Sequence, residues 1–348
     1  MVERITFGGT GIEVTRVAFG GIPIMRLSKP EGVKVVREVI EMGVNFIDTA
    51  YAYGDSEEKI GAAIQDFSRD KLVITSKSMA KDKDTFLQHL DIGLQRLRTE
   101  YMDIYQMHGV NSEEDMEKVM GRGGAMEGLR QAIKNGKVRH PAFSSHNPII
   151  AKKMMLTGKF QAIQFPFNFI DNEAQKEIIP LANEMNIGFI CMKPLGGGLL
   201  DDAGLCFRYL MQFKDIVPDP GVEKSDEMKQ ILSIIQSPSP LSEQDKVRIK
   251  GIKKELGDSW CHRCGYCQPC SQAIQISLAL IVKSVIKRMP YESALDFMEP
   301  VMKNVKDCTE CGECIEKCPY NLNIPDLWQK NLAVCEKYKK TGKTSVFG

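Results

Sequence analysis

Eight of the eleven cysteines in this 348-residue chain lie in two short runs near its C-terminal end. The second run reads "CTECGECIEKCP", and cysteines spaced in this way before a proline are typical of iron–sulfur proteins. Three thiolates two residues apart can wrap one corner of a cubane, so a fourth ligand must come from elsewhere in the chain. The cysteines of the two runs are Cys261, Cys264, Cys267 and Cys270, and Cys308, Cys311, Cys314 and Cys318.

Zinc is the competing interpretation, because eight cysteines could hold two zinc ions. Zinc sites usually set two C-x-x-C pairs well apart, whereas three consecutive C-x-x-C steps would crowd one ion, so the pattern favours two [4Fe–4S] clusters. The runs resemble those of two-cluster ferredoxins, in which the fourth cysteine of each run binds the other cluster. The resemblance implies one cluster on Cys261, Cys264, Cys267 and Cys318, and a second on Cys308, Cys311, Cys314 and Cys270.

A second set of reactive side chains lies in the first third of the chain. Asp48 and Tyr53 come at the end of one short apolar run, Lys77 ends the next run, and His108 ends the one after. A phenol has a pKa of about 10 and is a weak acid at neutral pH, but a nearby ammonium group favours the phenolate. We expect Asp48 to keep Lys77 charged and Tyr53 to exchange a proton with a bound substrate. His108 would orient that substrate by donating a hydrogen bond.

The elements that would bring these groups together are short strands that alternate with amphipathic helices. The strand candidates are mostly continuous apolar runs, as expected for strands buried on both faces. They span residues 16–22, 44–50, 71–77, 101–108, 138–145, 161–167, 187–193 and 215–219. Eight strand–helix units match a closed (β/α)8 barrel, in which polar groups at the carboxyl ends of the strands face the active site. An open doubly wound sheet is the other candidate, but "FGGIPIMR" after the first strand lacks its G-x-G-x-x-G pattern.

Two local patterns predict helices around these elements. Ser56, followed by Glu57 and Glu58, predicts a helix start with the serine as the N-terminal cap. Residues 273–287, between the two cysteine runs, are apolar enough to predict one packed helix.

The sequence "DTAYAYG" followed by "SEE", with a lysine and a histidine on the next two strands, resembles the aldo-keto reductase family. The resemblance covers residues 1–236 and gives counterparts for that family's catalytic tetrad. With the cysteine runs added, the whole chain resembles the branch that has a C-terminal ferredoxin-type 2×[4Fe–4S] domain. The resemblance implies an α/β fold, with a TIM barrel over residues 1–240 and a small, mainly helical ferredoxin-like domain over 241–348. The tetrad residues would be Asp48, Tyr53, Lys77 and His108.

The same resemblance implies a nicotinamide cofactor, NAD or NADP, held by strands five to eight. Gln164 matches the position whose side chain meets the carboxamide, and Ser144 and Ser145 lie where the family often has Ser-Asn at the same amide. The loop after the seventh strand would lie along the pyrophosphate, because glycines let backbone N–H groups approach phosphate oxygens closely. Its candidate contacts are Met192, Lys193, Pro194, Leu195, Gly196 and Gly198.

Two positions depart from the family pattern. Met192 stands where many relatives stack a tyrosine on the nicotinamide, and a flexible thioether fixes the ring less firmly. After the eighth strand the chain lacks the arginine that commonly grips the 2′-phosphate of NADP, while Glu223 would suit a ribose hydroxyl. The choice between NAD and NADP stays open, and the acidic residues favour NAD.

The composition argues against several other functions. The formal net charge is +1, from 46 basic and 45 acidic residues, which gives no reason to expect nucleic acid or an anionic membrane as a partner. No apolar run approaches the roughly 20 residues that span a bilayer, and the first residues lack the basic-then-apolar pattern of a signal peptide. We therefore expect a cytoplasmic protein.

These patterns together predict an NAD(P)-dependent oxidoreductase that acts on a small carbonyl or alcohol. Its clusters would exchange electrons with a ferredoxin or similar carrier, or would only brace the fold. Two further hypotheses stay open: a tetrad that works without nicotinamide, and an iron–sulfur electron-transfer subunit whose barrel is a docking platform. Phe143, Phe167 and Trp260 are candidates for lining the substrate pocket. The sequence identifies neither the substrate nor the oligomeric state.

Overall fold

The computed structural model describes residues 2–257 and 259–343, which divide into two compact units. The first unit holds the chain up to Gly196 together with Asp202–Pro240. The second unit holds Gly197–Asp201 and the chain from Leu241 onward. Within the described ranges, no helix has the length and apolar character needed to cross a membrane.

The described chain contains ten strands, all in the first unit. They are β1 (Arg4–Thr6), β2 (Glu13–Thr15), β3 (Phe19–Gly20), β4 (Phe46–Asp48), β5 (Val73–Ser78), β6 (Met102–Met107), β7 (Val138–Ser144), β8 (Ala162–Pro166), β9 (Gly188–Met192) and β10 (Ile216–Asp219). β1 and β2 form an antiparallel pair, and β3 to β10 form one eight-stranded parallel sheet in chain order. Each of the eight predicted strand segments overlaps one strand of this sheet, and β5 extends one residue beyond its predicted end.

The parallel sheet closes into a barrel at β3 and β10. Gly20 and Gly221 form a parallel bridge, and the backbone N–H groups of Ala18 and Gly20 donate to the carbonyls of Pro218 and Pro220, each at 2.9 Å. The predicted (β/α)8 barrel is therefore confirmed, and the open doubly wound sheet is excluded.

Nine α-helices of the first unit surround this sheet within the described residues. They are α1 (Lys29–Glu41), α2 (Ser56–Ala63), α3 (Lys83–Leu97), α4 (Glu113–Met120), α5 (Ala125–Lys134), α6 (Pro148–Leu156), α7 (Ile178–Glu184), α8 (Ala203–Leu210) and α9 (Ser225–Gln236). In α3, buried Phe86, Leu90, Leu94 and Leu97 recur every three or four residues, so one apolar stripe faces the core.

The predicted capping role of Ser56 is wrong, although α2 does begin at this residue. The N-cap position belongs to Asp55. The hydroxyl of Ser56 instead donates to the carbonyl of Gly21 at 2.8 Å and lies 2.9 Å from the hydroxyl of Thr49. Ser56 thereby ties α2 to the carboxyl ends of β3 and β4, which is a tertiary contact that the local sequence does not reveal.

A layer of apolar side chains fills the barrel at its amino-terminal end. Phe46 and Val73 are the first residues of their strands, and Phe7 from the β1–β2 hairpin packs edge-on against Phe46 with ring centroids 5.3 Å apart. The buried members of the layer are Phe7, Val14, Ala18, Phe46, Val73, Ile104, Ala142, Ala162, Ile190 and Val217. The opposite end of the barrel is where polar groups collect.

The regular structure in the described part of the second unit is helical, and the first cysteine run lies in irregular chain between two of its helices. Its helices are α10 (Glu243–Gly257), α11 (Ile276–Ala279), α12 (Val282–Arg288), α13 (Tyr291–Lys303), α14 (Glu313–Glu316) and α15 (Ile324–Thr341). Its apolar core contains Val285, Met298 and Trp328 together with Cys267, Cys314 and Cys318. The prediction of a single helix over residues 273–287 is wrong. The helical conformation is interrupted between α11 and α12, and both short helices pack on this core.

Candidate active site and cysteine cavities

Four side chains meet at the carboxyl ends of β4, β5 and β6. Asp48 is the last residue of β4, Lys77 is the next to last of β5, and His108 follows β6 directly. Tyr53 lies in the turn between β4 and α2, where its backbone N–H donates to the carbonyl of Ala50 at 2.9 Å. Adjacent parallel strands end on one side of a barrel, so these groups share one mouth.

Lys77 and Asp48 form a buried ion pair at the base of this mouth. Their side chains are 1% and 2% exposed, and Lys77 Nζ lies 2.6 Å from Asp48 Oδ2 and 2.7 Å from the carbonyl oxygen of Thr49. Burial alone would lower the pKa of Lys77, but the negative charge of its partner Asp48 leaves this pKa above its ordinary value. The ammonium group is therefore charged at neutral pH.

Tyr53 lies between this charge and His108. Lys77 Nζ is 5.0 Å from the centroid of the Tyr53 ring, and the rings of Tyr53 and His108 meet edge to face with centroids 6.0 Å apart. Tyr53 and His108 are half-buried, whereas the ion pair is enclosed. A small molecule entering the mouth would thus meet the phenol and the imidazole before the charged pair.

The structure adds buried polar residues that sequence reasoning missed. Gln106 Nε2 donates to Thr75 Oγ1 at 2.9 Å and lies 3.5 Å from Asp48 Oδ1. Asp219, the last residue of β10, accepts a hydrogen bond from Gln164 Nε2 at 3.0 Å. Burial raises the pKa of Asp219 well above its usual range, Asp48 raises it further, and Lys77 opposes them. The rule that polar strand ends face the site could have identified Asp219, which ends the eighth predicted strand.

The three residues predicted to contact the carboxamide differ in whether their side-chain polar atoms already form hydrogen bonds within the protein. The hydroxyl of Ser144 accepts the backbone N–H of Gly109 at 2.9 Å. The hydroxyl of Ser145 accepts the N–H of Asn147 at 3.1 Å and donates to its carbonyl at 3.3 Å. Gln164 Oε1 is buried, and no donor among the described residues reaches it. This oxygen is therefore an unsatisfied acceptor, whereas the two serines also hold the loops around them.

The predicted pyrophosphate loop is divided between the two compact units. Lys193, Gly196 and Gly198 have positive φ angles of 57°, 58° and 85°, a conformation that favours glycine. Gly196 closes the first unit, while the chain from Gly197 to Asp201 belongs to the second. There the carbonyls of Gly197 and Gly198 accept hydrogen bonds from Ser284 Oγ at 3.0 Å and Lys287 Nζ at 2.9 Å.

Other predicted loop contacts keep their sequence positions at the end of the seventh barrel strand. Met192 is the half-buried last residue of β9, and the carbonyl of Lys193 accepts a hydrogen bond from Asn168 Nδ2 at 3.0 Å. Pro194 and Leu195 follow in the turn that leads to Gly196.

Glu223 forms an ion pair with Arg26, a residue that sequence reasoning missed. Burial raises the pKa of Glu223, and Arg26 opposes this shift. Glu227 Oε2 accepts the backbone N–H groups of Glu223 at 2.8 Å and Lys224 at 3.2 Å. Arg26 comes from the loop after β3, so barrel closure supplies a cation in a region where the local sequence has no arginine.

Two of the residues proposed for the substrate pocket lie in the core. Phe143 and Phe167 are completely buried, and their rings pack on Phe160 and Phe213 with centroids 4.8 Å apart in each case. Neither ring presents a surface to a substrate, so that prediction is wrong for both.

The eight cysteines of the two runs line two cavities of the second unit. Cys261, Cys264, Cys267 and Cys318 line one cavity. Cys270, Cys308, Cys311 and Cys314 line another, which Cys267 also borders. Among residues 2–257 and 259–343, no three His, Cys, Asp or Glu side chains are placed to hold a single metal ion.

The two cysteine runs fold as an internal repeat. The residue before the second cysteine of each run, Arg263 or Glu310, has a φ of 60° or 53°, and the glycine after that cysteine has a φ of 82° in both runs. The N–H groups of Arg263 and Glu310 point back to Cys261 Sγ and Cys308 Sγ, each at 3.4 Å. Burial, with help from neighbouring thiols, raises the pKa of Cys267 to about 12.

The described residues thus fit both the nicotinamide cofactor and the iron–sulfur clusters that the sequence implies. Gln164 Oε1 is an acceptor that the N–H of a carboxamide would satisfy. Each cavity is lined by the four cysteines predicted for one cluster, three from one run and the fourth from the other, and Cys267 borders the second cavity as well.

Comparisons with known proteins agree with this architecture. A sequence model of the Aldo/keto reductase family matches residues 5–205, and a 4Fe-4S dicluster domain model matches residues 260–323. The probable aldo-keto reductase 1 of Glycine max is 24% identical over 222 residues, which is 59% of this chain and 62% of that protein. The chain thus spans less than two thirds of the length of this curated relative.

Solved structures show the same barrel fold. An aldo-keto reductase from Bacillus halodurans in its holo form superposes with a TM-score of 0.63 at 18% identity. The match covers 72% of this chain and 96% of the Bacillus halodurans chain. An aldo/keto reductase from Klebsiella pneumoniae, in complex with NADP and acetate, has a TM-score of 0.61 at 18% identity, over 72% and 95% of the two chains. At these identities the likeness shows the fold alone.

Proposed function

The chain belongs to the aldo/keto reductase family by its match over residues 5–205, and we propose that it transfers hydride between a nicotinamide and a small carbonyl or alcohol. The observation that carries this proposal is the buried Lys77–Asp48 pair beside the Tyr53 ring at the mouth of the barrel. A bound nicotinamide supplies or accepts the hydride.

Tyr53 moves the proton in this proposal. During reduction its hydroxyl gives a proton to the carbonyl oxygen, and during oxidation its phenolate takes the proton from the alcohol. Lys77 stabilises the phenolate because its charge lies 5.0 Å from the ring centroid. Asp48 holds Lys77 in place through the 2.6 Å contact.

Two further side chains orient the reactants. His108 donates a hydrogen bond to the carbonyl oxygen, which keeps this oxygen next to the phenol of Tyr53. Gln164 accepts the N–H of the carboxamide through its buried Oε1 atom, and this contact sets which face of the nicotinamide meets the substrate.

We propose two [4Fe–4S] clusters for the second unit, one on each set of four cysteines that lines a cavity. Such clusters carry single electrons, so a ferredoxin or similar carrier is the expected redox partner. Cys318 and Cys270 each leave their own run to complete the opposite site, and the two runs are thereby held together.

Tyr53→Phe tests the assigned acid with the least change of shape. General acid–base catalysis typically contributes 10²- to 10⁴-fold, so we expect carbonyl turnover to fall by roughly that factor. Iron content, sulfide content and NAD(P)H affinity should stay the same, because the phenyl ring keeps its packing. Tyr51→Phe is the matched control, since Tyr51 stacks on His89 through its ring at 3.8 Å. Undiminished turnover in Tyr53→Phe would refute the assignment.

A second candidate function keeps the tetrad but uses no nicotinamide. It is favoured by Met192, which is half-buried at the end of β9 and offers the nicotinamide no aromatic ring. Titration of the purified protein with NADH and NADPH, followed by fluorescence quenching, separates the two candidates. Absence of binding by either nucleotide would support the second.

A further inference from the structure

We propose that Asp219 is a positioning residue that holds its proton, donates a hydrogen bond to Asp48 and accepts one from Gln164. It would thus join the charged pair beside Tyr53 to the residue that meets the carboxamide. This inference rests on the proposed function and names one more residue of the same site.

The placement of Asp219 follows from barrel closure. It ends β10, is 8% exposed, and pairs in register with Met192 on β9. Gln164 Nε2 donates to Asp219 Oδ2 at 3.0 Å, and the carboxyl groups of Asp219 and Asp48 are near enough to affect each other's protonation. Two neighbouring carboxylates repel each other, which favours a proton on one of them.

The surroundings assign this proton to Asp219. Asp48 already balances the ammonium group of Lys77 at 2.6 Å, so its negative charge is compensated. Asp219 receives one neutral amide donor, and no donor among the described residues reaches its Oδ1 atom. Burial raises its pKa in the same sense. The titratable groups that face it are Asp48 on β4, Lys77 on β5 and the buried Cys191 on β9.

The backbone leaves room for this carboxyl group where the barrel closes. A Cβ atom on Gly20 would lie 3.0 Å from Asp219 Oδ1 and 3.1 Å from the backbone nitrogen of Gly221. Any larger residue at position 20 would therefore press on the carboxyl group. The glycine at the last position of β3 and the acid at the last position of β10 fit together.

A neutral Asp219 has two consequences for the site. It leaves Lys77 balanced by one carboxylate, whereas an ionised Asp219 would add a second negative charge and weaken the stabilisation of the Tyr53 phenolate. It also fixes the amide of Gln164 by its Nε2 end, so that Oε1 remains the atom available to the carboxamide.

Two substitutions separate positioning from simple packing. Asp219→Leu removes both hydrogen bonds, and we expect NAD(P)H affinity to fall about 10-fold to 100-fold. Asp219→Asn can donate to Asp48 and accept from Gln164 as the protonated acid does, so it should recover most of the lost affinity and keep the pH profile of turnover. Equal impairment in both variants, or a shifted pH profile in Asp219→Asn, would overturn the inference.

An infrared measurement tests the proton without any nicotinamide. The difference spectrum between the wild-type protein and Asp219→Asn at neutral pH should contain the C=O stretch of a protonated carboxylic acid. A carboxylate band in its place would overturn the inference, whatever the activity. Wild-type protein that shows the acid band but binds neither NADH nor NADPH would instead refute the proposed function and leave the proton assignment intact.

Discussion

Lys77 is a buried cation, and the effect of its substitution on stability and activity depends on the groups that compensate its charge. Asp48 and the carbonyl of Thr49 compensate the ammonium group at 2.6 and 2.7 Å. A buried charge that keeps such partners is tolerated, whereas one that loses its partner costs several kcal/mol. The stability of this site and its chemistry therefore depend on the same contact.

Lys77→Met should leave the Asp48 carboxylate buried in the barrel without its charged partner. We expect the free energy of unfolding of the first unit to fall by about 3–5 kcal/mol, together with loss of turnover. Combining it with Asp48→Asn removes the stranded charge, so stability should partly return while turnover does not. Chemical denaturation followed by circular dichroism measures both variants. Equal stability of the single and double variants would contradict the ion-pair argument.

Asp219 gives a pH dependence of stability with a definite sign. Its folded-state pKa is raised, so below the ordinary value of 3.8 both the folded and unfolded chains are protonated and no cost arises. As pH rises, the unfolded chain loses this proton first, and the folded protein loses stability by at most about 1.4 kcal/mol per pH unit. The Tm of Asp219→Asn minus that of the wild-type protein should therefore widen between about pH 4 and 7. A gap that stays constant would count against the raised pKa.

Strands β3 to β10 position the site, and the β1–β2 hairpin closes the other end of their barrel. Phe7 follows β1, packs edge-on against Phe46 and lies close enough to β9 that a Cβ on Gly188 would meet its ring at 2.5 Å. Phe7 and the tetrad lie at opposite ends of the same barrel. Substitution of Phe7 should therefore affect the stability of the fold more than the catalytic chemistry.

Phe7→Ala should destabilise the barrel by about 3–5 kcal/mol, because it removes a buried ring and leaves a cavity. Below the new unfolding transition, turnover per folded molecule should stay within about twofold of wild type, since the mouth keeps its residues. Leu156→Ala on α6 is the control, because this side chain is 60% exposed and should change stability little. A folded Phe7→Ala variant without activity would show that the two ends are coupled.

At the scale of the whole molecule, each of the two compact units has an apolar cluster among its described residues. Barrel-strand residues with Phe7 and Ala18 contribute to the first, and helices with three cysteines contribute to the second. The second core includes Cys267, Cys314 and Cys318, so ligation of the proposed clusters would be linked to folding of that unit. This linkage predicts that loss of a ligand weakens the unit as well as its redox chemistry.

Cys318→Ser removes the cysteine that lines the cavity of the other run. We expect iron and sulfide to fall to about half of the wild-type content and the second unit to unfold at lower temperature. Cys335→Ser is the control, since Cys335 lies outside both cavities, 3.7 Å from Met298 Sδ, and should retain all the iron. Full iron content in Cys318→Ser would contradict the crossed ligand set.

Local sequence patterns were sufficient to predict the barrel strands, the positions of three tetrad residues and the iron–sulfur domain. Continuous apolar runs predicted each barrel strand, and the position of Asp48, Lys77 and His108 at strand ends follows from strand boundaries alone. The cysteine spacing indicated the iron–sulfur domain, which the family comparison supports. These features are encoded within a few residues, so they can be read before the chain folds.

Tertiary structure decided what depends on residues far apart in the chain. Closure of β3 against β10 brings Asp219 to Asp48 and Arg26 to Glu223, and neither pair has a local signal. Packing on the helical core, and not helix propensity, breaks residues 273–287 into two helices. The sequence by itself determined which chemical groups are present and on which elements, because periodicity and spacing are local. Only the folded barrel determined which of them touch, because register and closure fix distances between remote strands.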